Sequence, residues 1–160
     1  MERRYSIEVW IGNCGFTEIA FPTAKNAKIF EIIMDLTENQ ISKLIVDRSL
    51  KVHRALGPGL LESSYENCLY LELEIAGLIV ERQKAIPIVY DNLTLKIGYR
   101  VDLFVDNKVI IEIKVVEKIT EIHLAQILTY LKLSRCKLGL LINFNTTFMK
   151  NGIKRVVNNL

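Results

Sequence analysis

The sequence predicts a layered α/β fold, bordering on α+β, in which helices flank a mixed β-sheet. Two observations predict it. Apolar residues recur at helical spacing before Gly77 and alternate at strand spacing from Ala85 onward. After one more helical stretch, the run LGLLIN at Leu138–Asn143 is apolar on both faces, as in a strand buried inside a sheet. A buried strand after a helix favours a sheet covered by helices.

The bulk composition bounds the protein to one globular domain. Of its 160 residues, 50% are hydrophobic and 24% are charged, with only 3 prolines, and the formal charge of +3 permits a polyanionic partner without requiring one. Cys14, Cys68 and Cys136 form no CxxC pair, which argues against a zinc site or a disulfide framework. No apolar run has the roughly 20 residues of a membrane span. We therefore expect a cytoplasmic protein that does not enter a membrane.

Residues 1–33 differ in pattern from the rest of the chain. They combine glycines and a proline with several aromatic residues, and they show no sustained helical or strand period. Helical spacing begins after Met34. We predict that residues 1–33 are an N-terminal extension outside the core and that residues 34–160 form the functional domain.

Two helices are predicted next. Asp35 or Thr37 can cap the first, whose apolar residues have the spacing of one buried stripe. It ends at the Leu-Gly-Pro-Gly sequence of residues 56–59, because glycine and proline stop a helix. The second helix is predicted from about residue 61 to 76, with Gly77 following as its C-terminal cap.

The remaining elements give the order α-α-β-β-β-α-β. Three strands separated by turns at Asp91-Asn92 and Asp106-Asn107 are expected at Ala85–Tyr90, Leu93–Val105 and Val109–Val116. Thr120 is expected to cap a third helix that continues to about Ser134, before the buried strand Leu138–Asn143. The tail from Gly152 to Asn158 is predicted as a last short helix.

The second and third strands carry charged residues that can share one face. Because side chains alternate along a strand, Glu112 and Lys114 point away from the apolar set of IIEIKVV, and Asp102 interrupts YRVDLFV. A two-residue loop would pair Asp102 with Ile111 and send Glu112 to the wrong side. A three-residue loop at residues 106–108, or a bulge, pairs Asp102 with Glu112. We predict one of these two devices.

Two neighbouring carboxylates repel each other unless a cation lies between them. Mg²⁺ or Mn²⁺ suits Asp102 and Glu112, and the backbone carbonyl of Ile113 is a further candidate ligand. Lys114 would stand beside the metal, where an ammonium can help to deprotonate a water and stabilise charge on a phosphate. The alternative is an exposed cluster of charges, but the apolar run VIIEIKVV is typical of a central strand, where unpaired charges are costly.

Five sequence blocks occur in order across residues 34–144: GLLESSY at Gly59–Tyr65, YRVDLFV, IIEIKVV, HLAQILTYLKL and LGLLINF. Together they resemble the PD-(D/E)XK nuclease superfamily, and more closely the GxxExxY family, which is named after the first block. The resemblance implies a restriction-endonuclease-like core. It also implies that Asp102 and Glu112 bind the metal and that Lys114 is the catalytic lysine.

The resemblance extends to three further candidate site residues. It implies that Glu62, on the helix before the sheet, reaches the metal site, although a glutamate there can simply favour the helix dipole. Gln126 and Tyr130 resemble the QxxxY motif of helicase-associated exonucleases in the superfamily. Because positions i and i+4 share a helix face, an amide and a phenol there could hold DNA phosphate or the lysine. The alternative is a core tyrosine with a glutamine at its rim.

The sequence thus predicts a Mg²⁺- or Mn²⁺-dependent nuclease that hydrolyses phosphodiester bonds by a metal-activated water, with DNA favoured over RNA. The competing interpretation is a nuclease fold that binds nucleic acid or a protein partner with little or no catalysis. A domain of this size is also expected to recognise the structure or the ends of DNA, or to rely on a protein partner or a homodimer. Basic residues expected to track a phosphate backbone are Arg54, Arg82, Lys84, Arg100 and Lys108.

Overall fold

The chain divides into two compact units, Met1–Asp35 and Leu36–Leu160. A computed structural model describes four stretches of it: residues 6–10, 16–20, 36–91 and 93–160. In the first unit, β1 (Ser6–Trp10) pairs antiparallel with β2 (Phe16–Ala20), two strands that the sequence pattern did not predict. The interpretation of residues 1–33 as an extension outside the core stays a prediction.

Four sequence-based expectations lie outside the described residues. They concern Cys14, the domain start at Met34, the alternative helix cap at Asp35 and the second turn residue Asn92. The other proposed cap, Thr37, is described and is the residue at which the first helix begins.

Helix α1 spans Glu38–Leu56 and opens with a capping box. The Thr37 hydroxyl accepts the Gln40 N–H at 3.4 Å, and the Gln40 side-chain oxygen accepts the Thr37 N–H at 2.9 Å. The helix ends at Gly57, whose φ of +66° is a conformation that glycine adopts at little cost. Start and stop signals therefore act as the sequence predicted.

Helix α2 spans Glu62–Ile75, and the loop before it is fixed by a buried tyrosine. The Tyr65 hydroxyl donates to the Gly57 carbonyl at 2.6 Å and accepts the Leu60 N–H at 3.1 Å. The Tyr65 ring stacks on Phe144, with ring centroids 4.4 Å apart. Tyr65 thereby sets where α2 begins, and so where Glu62 stands.

Five strands form one mixed sheet in the order β3-β4-β5-β6-β7. The strands and the third helix are β3 (Val80–Tyr90), β4 (Leu93–Val105), β5 (Val109–Lys114), α3 (Glu121–Ser134), β6 (Leu138–Asn143) and β7 (Ile153–Val157). Neighbours pair antiparallel except β5 with β6, which are parallel. The predicted α/β class and the predicted element order up to β6 are confirmed.

The predicted helix at the C-terminal tail is wrong. Helix α4 covers only Met149–Gly152, and the chain then runs as β7 against β6. All six residues of β6 are buried, so both of its edges need a hydrogen-bonding partner, and β5 supplies only one. A Cβ on Gly152 would lie 2.2 Å from the Asn143 carbonyl, so this close approach of α4 to β6 requires glycine.

The sheet is packed on both faces. One cluster of buried residues joins α1 and α2 to Leu103, Ile111 and Ile113. The other joins Phe104 and Ile110 to buried residues of α3. Because side chains alternate along β5, Glu112 shares the α3 face with Ile110.

Candidate metal centre

The hairpin between β4 and β5 turns through three residues, one of the two devices that the sequence predicted. Val105 pairs with Val109, which leaves residues 106–108 as the turn, and the ladder continues to the pair Leu103 and Ile111. Asp106 and Asn107 have left-handed φ values of 48° and 54°. In this register Asp102 and Glu112 stand level with each other on neighbouring strands.

The main-chain ladder between the two strands stops at Leu103 and Ile111, just before these carboxylates. Beyond that point the Asp102 side chain acts as the acceptor in place of a main-chain carbonyl, and its Oδ2 accepts the Ile113 N–H at 2.8 Å. The N–H and C=O of one strand residue point to the same side, so the Ile113 carbonyl also points to the β4 side of β5. It remains a candidate metal ligand in the place where the sequence suggested it.

Glu112 is buried, with 4% of its surface exposed, and its two oxygens have different surroundings. Oε1 accepts from Lys114 Nζ at 2.7 Å and from Gln126 Nε2 at 3.0 Å. Oε2 is buried and has no hydrogen-bond partner among the described residues. Burial, followed by the negative charge of Asp102, raises the pKa of Glu112 to about 7.

Burial is also the main cause of a raised pKa at Asp102. The Ile113 N–H opposes that rise, whereas the charge of Glu66 adds to it. Both carboxylates of the pair are therefore placed where negative charge is costly without a cation nearby. No group of three or more His, Cys, Asp or Glu side chains in the described part of the chain could hold a metal. Two carboxylates, one carbonyl and waters are a donor set that suits Mg²⁺ or Mn²⁺ rather than zinc.

Gln126 and Tyr130, predicted as one i, i+4 pair, do meet at the site. Gln126 donates through Nε2 to Glu112 Oε1 and to the Tyr130 hydroxyl. Tyr130 is buried, and its ring lies 5.1 Å from that of Tyr99. The amide thus contacts the carboxylate rather than Lys114, and Tyr130 reaches the site through Gln126.

Glu62 lies at the first turn of α2, beside the end of β5. Its Oε1 accepts the Val115 N–H at 3.0 Å. After burial and the charge of Asp102, the charge of Glu62 is a smaller cause of the raised pKa of Glu112. Glu62 therefore fastens α2 to the strand that carries Glu112 and Lys114.

Two residues that the sequence did not single out, Gln83 and Glu66, lie beside Asp102, and Arg82 joins them through Glu66. Gln83 Nε2 donates to Asp102 Oδ1 at 3.3 Å and to Glu66 Oε2 at 2.8 Å. Arg82 donates to Glu66 Oε1 through Nε at 3.1 Å and Nη2 at 3.0 Å. Glu66 follows Glu62 by one helical turn, a spacing that could have indicated a shared face. Nothing in the sequence marks Gln83, and Arg82 was noted only as a basic residue that could contact phosphate.

Three of the basic residues that could track a phosphate backbone have partners within the fold, and their contact with phosphate stays a prediction. Arg82 is paired with Glu66. Lys84 pairs with Glu81 at 2.6 Å, and Lys108 Nζ donates to the Leu36 carbonyl at 2.7 Å. Two other lysines contribute to a polar cavity of about 310 Å³ lined by Glu117, Lys118, Ile119, Asn143, Asn145, Thr146, Asn151, Gly152 and Lys154. Asn143, one of the lining residues, pairs in register with Lys114 across β5 and β6.

Comparisons with known proteins agree with the geometry at the level of the family. The model of the PD-(D/E)XK nuclease superfamily matches residues 39–156. The crystal structure of SSO0001 aligns with 87% of this chain and 79% of that chain, at 16% sequence identity and a TM-score of 0.43. That likeness is too distant to support an argument. Among curated proteins, none gives a significant match.

Within the described residues, every helix is too short or too polar to cross a bilayer.

Proposed function

Because the chain belongs to the PD-(D/E)XK nuclease superfamily, we propose that it is a nuclease that depends on Mg²⁺ or Mn²⁺ and hydrolyses phosphodiester bonds, of DNA in preference to RNA. One observation carries the proposal. Glu112 Oε2 is buried without a hydrogen-bond donor among the described residues, level with the half-buried carboxylate of Asp102. Such an oxygen is costly unless a cation satisfies it. The closer likeness to the GxxExxY family stays a prediction.

Asp102, Glu112 and the Ile113 carbonyl would hold the cation. When bound, a divalent ion of this kind supplies an activated water and neutralises charge on a phosphate. Asp102 is held in a fixed direction by the Ile113 N–H. Glu112 is held by its other oxygen, so that Oε2 stays open toward a ligand.

Lys114 and Gln126 define the remaining roles. The Lys114 ammonium stands 2.7 Å from Glu112 Oε1, where it places a positive charge beside any phosphate that reaches the carboxylates. Gln126 orients Glu112, and Tyr130 orients Gln126, so both are positioning residues. Glu62 keeps the end of β5 in place through the Val115 N–H.

Charged and polar side chains near this centre support nucleic acid as the substrate. Lys118 and Lys154 bring positive charge to the polar cavity beside Lys114. Asparagine side chains in the same cavity can donate to phosphate oxygens without selecting a base. Backbone binding of this kind depends strongly on salt and little on sequence.

The test is cleavage by the purified full-length protein. Single-stranded, duplex and branched DNA, together with RNA, are incubated with Mg²⁺, Mn²⁺ or EDTA. The same reactions are run with Lys114→Ala and with Lys132→Ala, an exposed lysine of α3 that serves as the matched control. Cleavage that needs metal, disappears in Lys114→Ala and persists in Lys132→Ala supports the proposal. Binding without cleavage under every condition would mean that the protein is a catalytically inactive binding module.

A further inference from the structure

The backbone at Gln83 has an unusual conformation for its residue type. Its φ is +49°, in the left-handed region that residues other than glycine and asparagine seldom adopt. The pairs Arg82 with Leu103 and Lys84 with Val101 flank it in the β3–β4 ladder. By this register Gln83 stands opposite Asp102. A left-handed residue inside a strand has a cost that the surrounding structure must offset.

Both strands change face at this point. Residues two apart in a strand normally point the same way, yet Leu103 packs in the α1–α2 cluster and Val101 in the α3 cluster. Their pairing partners on β3 also lie on opposite faces. Arg82 lies 5.1 Å from the Tyr70 ring of α2, whereas Lys84 lies 4.1 Å from the Phe104 ring on the other face. Asp102 lies at the position where β4 changes face.

This change of face explains why Asp102 reaches β5. A side chain in undisturbed alternation stands perpendicular to the sheet and does not meet the neighbouring backbone. Asp102 instead accepts the Ile113 N–H in the position where a ladder hydrogen bond would be expected. The left-handed Gln83 and the in-plane direction of Asp102 therefore belong to one local distortion.

The Gln83 side chain then fixes the other oxygen of Asp102. An amide NH₂ offers two hydrogens and no charge. Here one bond goes to Asp102 and the other to Glu66, whose charge is balanced by Arg82. A lysine in the same place would neutralise Asp102, whereas the amide orients the carboxylate and leaves its charge for a cation.

We propose that Gln83, anchored by Glu66 and Arg82, is a positioning residue that sets the direction of Asp102 for metal binding. This inference rests on the proposed metal site at Asp102 and Glu112. It gives β3 and α2 a role in the site, because they supply the amide and its anchor.

The test separates the amide from the strained backbone. Gln83→Asn and Gln83→Gly both accept a positive φ more readily than glutamine does. Neither can bridge Asp102 and Glu66, because the asparagine side chain is one methylene shorter and glycine has no side-chain amide. Arg135→Gly is the matched control, since Arg135 has a φ of 59° at the exposed end of α3. Mn²⁺ affinity is measured by calorimetry on the full chain, and thermal unfolding is recorded in EDTA.

We expect both Gln83 variants to bind Mn²⁺ about tenfold more weakly than the wild type. Their melting temperatures should be unchanged or raised, and Arg135→Gly should bind as the wild type does. Wild-type affinity in both Gln83 variants overturns the inference, and so does a joint loss of affinity and stability, which would mark Gln83 as merely structural. No Mn²⁺ binding by the wild type would instead overturn the proposed function.

Discussion

Asp102 and Glu112 stand level on neighbouring strands, yet their oxygens are bound in different ways. Asp102 has a neutral donor on each oxygen, the Ile113 N–H and the Gln83 amide. Glu112 has an ammonium and an amide on Oε1, and Oε2 is buried with no partner among the described residues.

The difference separates two tasks within one site. A carboxylate held by neutral donors keeps its charge and has a fixed direction. A carboxylate with one oxygen buried and unpartnered gains most when a cation arrives, because the cost of its burial is then removed. Asp102 thus provides a charged carboxylate of fixed orientation, and Glu112 provides a buried oxygen that a cation would stabilise.

The largest expected effect comes from removing each charge in turn. Asp102→Asn and Glu112→Gln should each lower metal-dependent cleavage by roughly 100-fold or more. The two substitutions should shift the melting temperature in EDTA at pH 8 in opposite directions. Glu112→Gln should raise the melting temperature, because it removes a buried charge. Asp102→Asn should lower it, because the new amide cannot accept from both the Ile113 N–H and Gln83.

Thermal unfolding and cleavage assays on the two variants check this prediction. Shifts of the same sign in both melting temperatures would contradict the contrast between the two carboxylates. Lys132→Ala again serves as the surface control, and its melting temperature should not change appreciably.

The next effect is on pH dependence. The folded-state pKa of Glu112 is about 7, above its ordinary value of 4.5. Between these values the folded protein binds more protons than the unfolded chain, so the stability of the metal-free protein falls as pH rises. At about 1.4 kcal/mol per pKa unit, the loss is on the order of 3 kcal/mol at most. Denaturant unfolding from pH 4.5 to 8 measures it.

Glu112→Gln should remove this part of the pH dependence, whereas Asp102→Asn should leave more of it in place. An equal slope of stability against pH in wild type and Glu112→Gln would show that Glu112 is not the group responsible. Mg²⁺ added at pH 8 should restore stability to the wild type and not to Glu112→Gln.

A smaller effect is expected from the groups that hold Glu112. Gln126→Ala removes a donor from Oε1 and should lower cleavage about tenfold. Tyr130→Phe leaves Gln126 in place without its hydroxyl partner, so its loss should be only a few-fold. Steady-state cleavage rates at fixed Mg²⁺ measure both. A Tyr130→Phe defect larger than that of Gln126→Ala would mean that Tyr130 acts on the substrate directly.

The smallest effect should come from deleting residues 1–33. The carboxylate pair and its donors all lie in the unit Leu36–Leu160. The shortened chain should therefore keep nearly the stability and cleavage rate of the full chain, as judged by its melting temperature and by the same assay. Aggregation of the shortened chain would contradict the interpretation of this segment as an extension.

Most of the Glu112 side of the site could be predicted from sequence. Glu112 and Lys114 are two residues apart on one strand, and Gln126 and Tyr130 are four apart on one helix, so local periodicity places each pair on one face. The structure brings these two pairs together through Glu112 Oε1. The hairpin register was predictable for a similar reason, because only a three-residue turn or a bulge could put both carboxylates level. The structure has the three-residue turn.

The Asp102 side was hidden from sequence reasoning. Gln83 reaches Glu66 across 17 positions and Asp102 across 19, and its left-handed φ breaks the alternation on which the prediction relied. Regular alternation would put Val101 and Leu103 on one face, and they lie on opposite faces. The C-terminal tail was predicted as a helix because no local pattern shows that the second edge of β6 requires a partner. The tail instead forms β7 and pairs with that edge.

The sequence by itself therefore determined the elements from α1 to β6, the register of the hairpin and the shared faces of like-spaced residues, since these follow from periodicity, turn chemistry and burial. Only the tertiary structure decided how each carboxylate is bound. The hydrogen bonds of Gln83 join β3 to α2 and β4, so they depend on where three separate elements meet. A strained residue such as Gln83 persists only because its neighbours hold it. The residues of the candidate metal centre thus follow from local sequence patterns, and the directions of their side chains are set by packing.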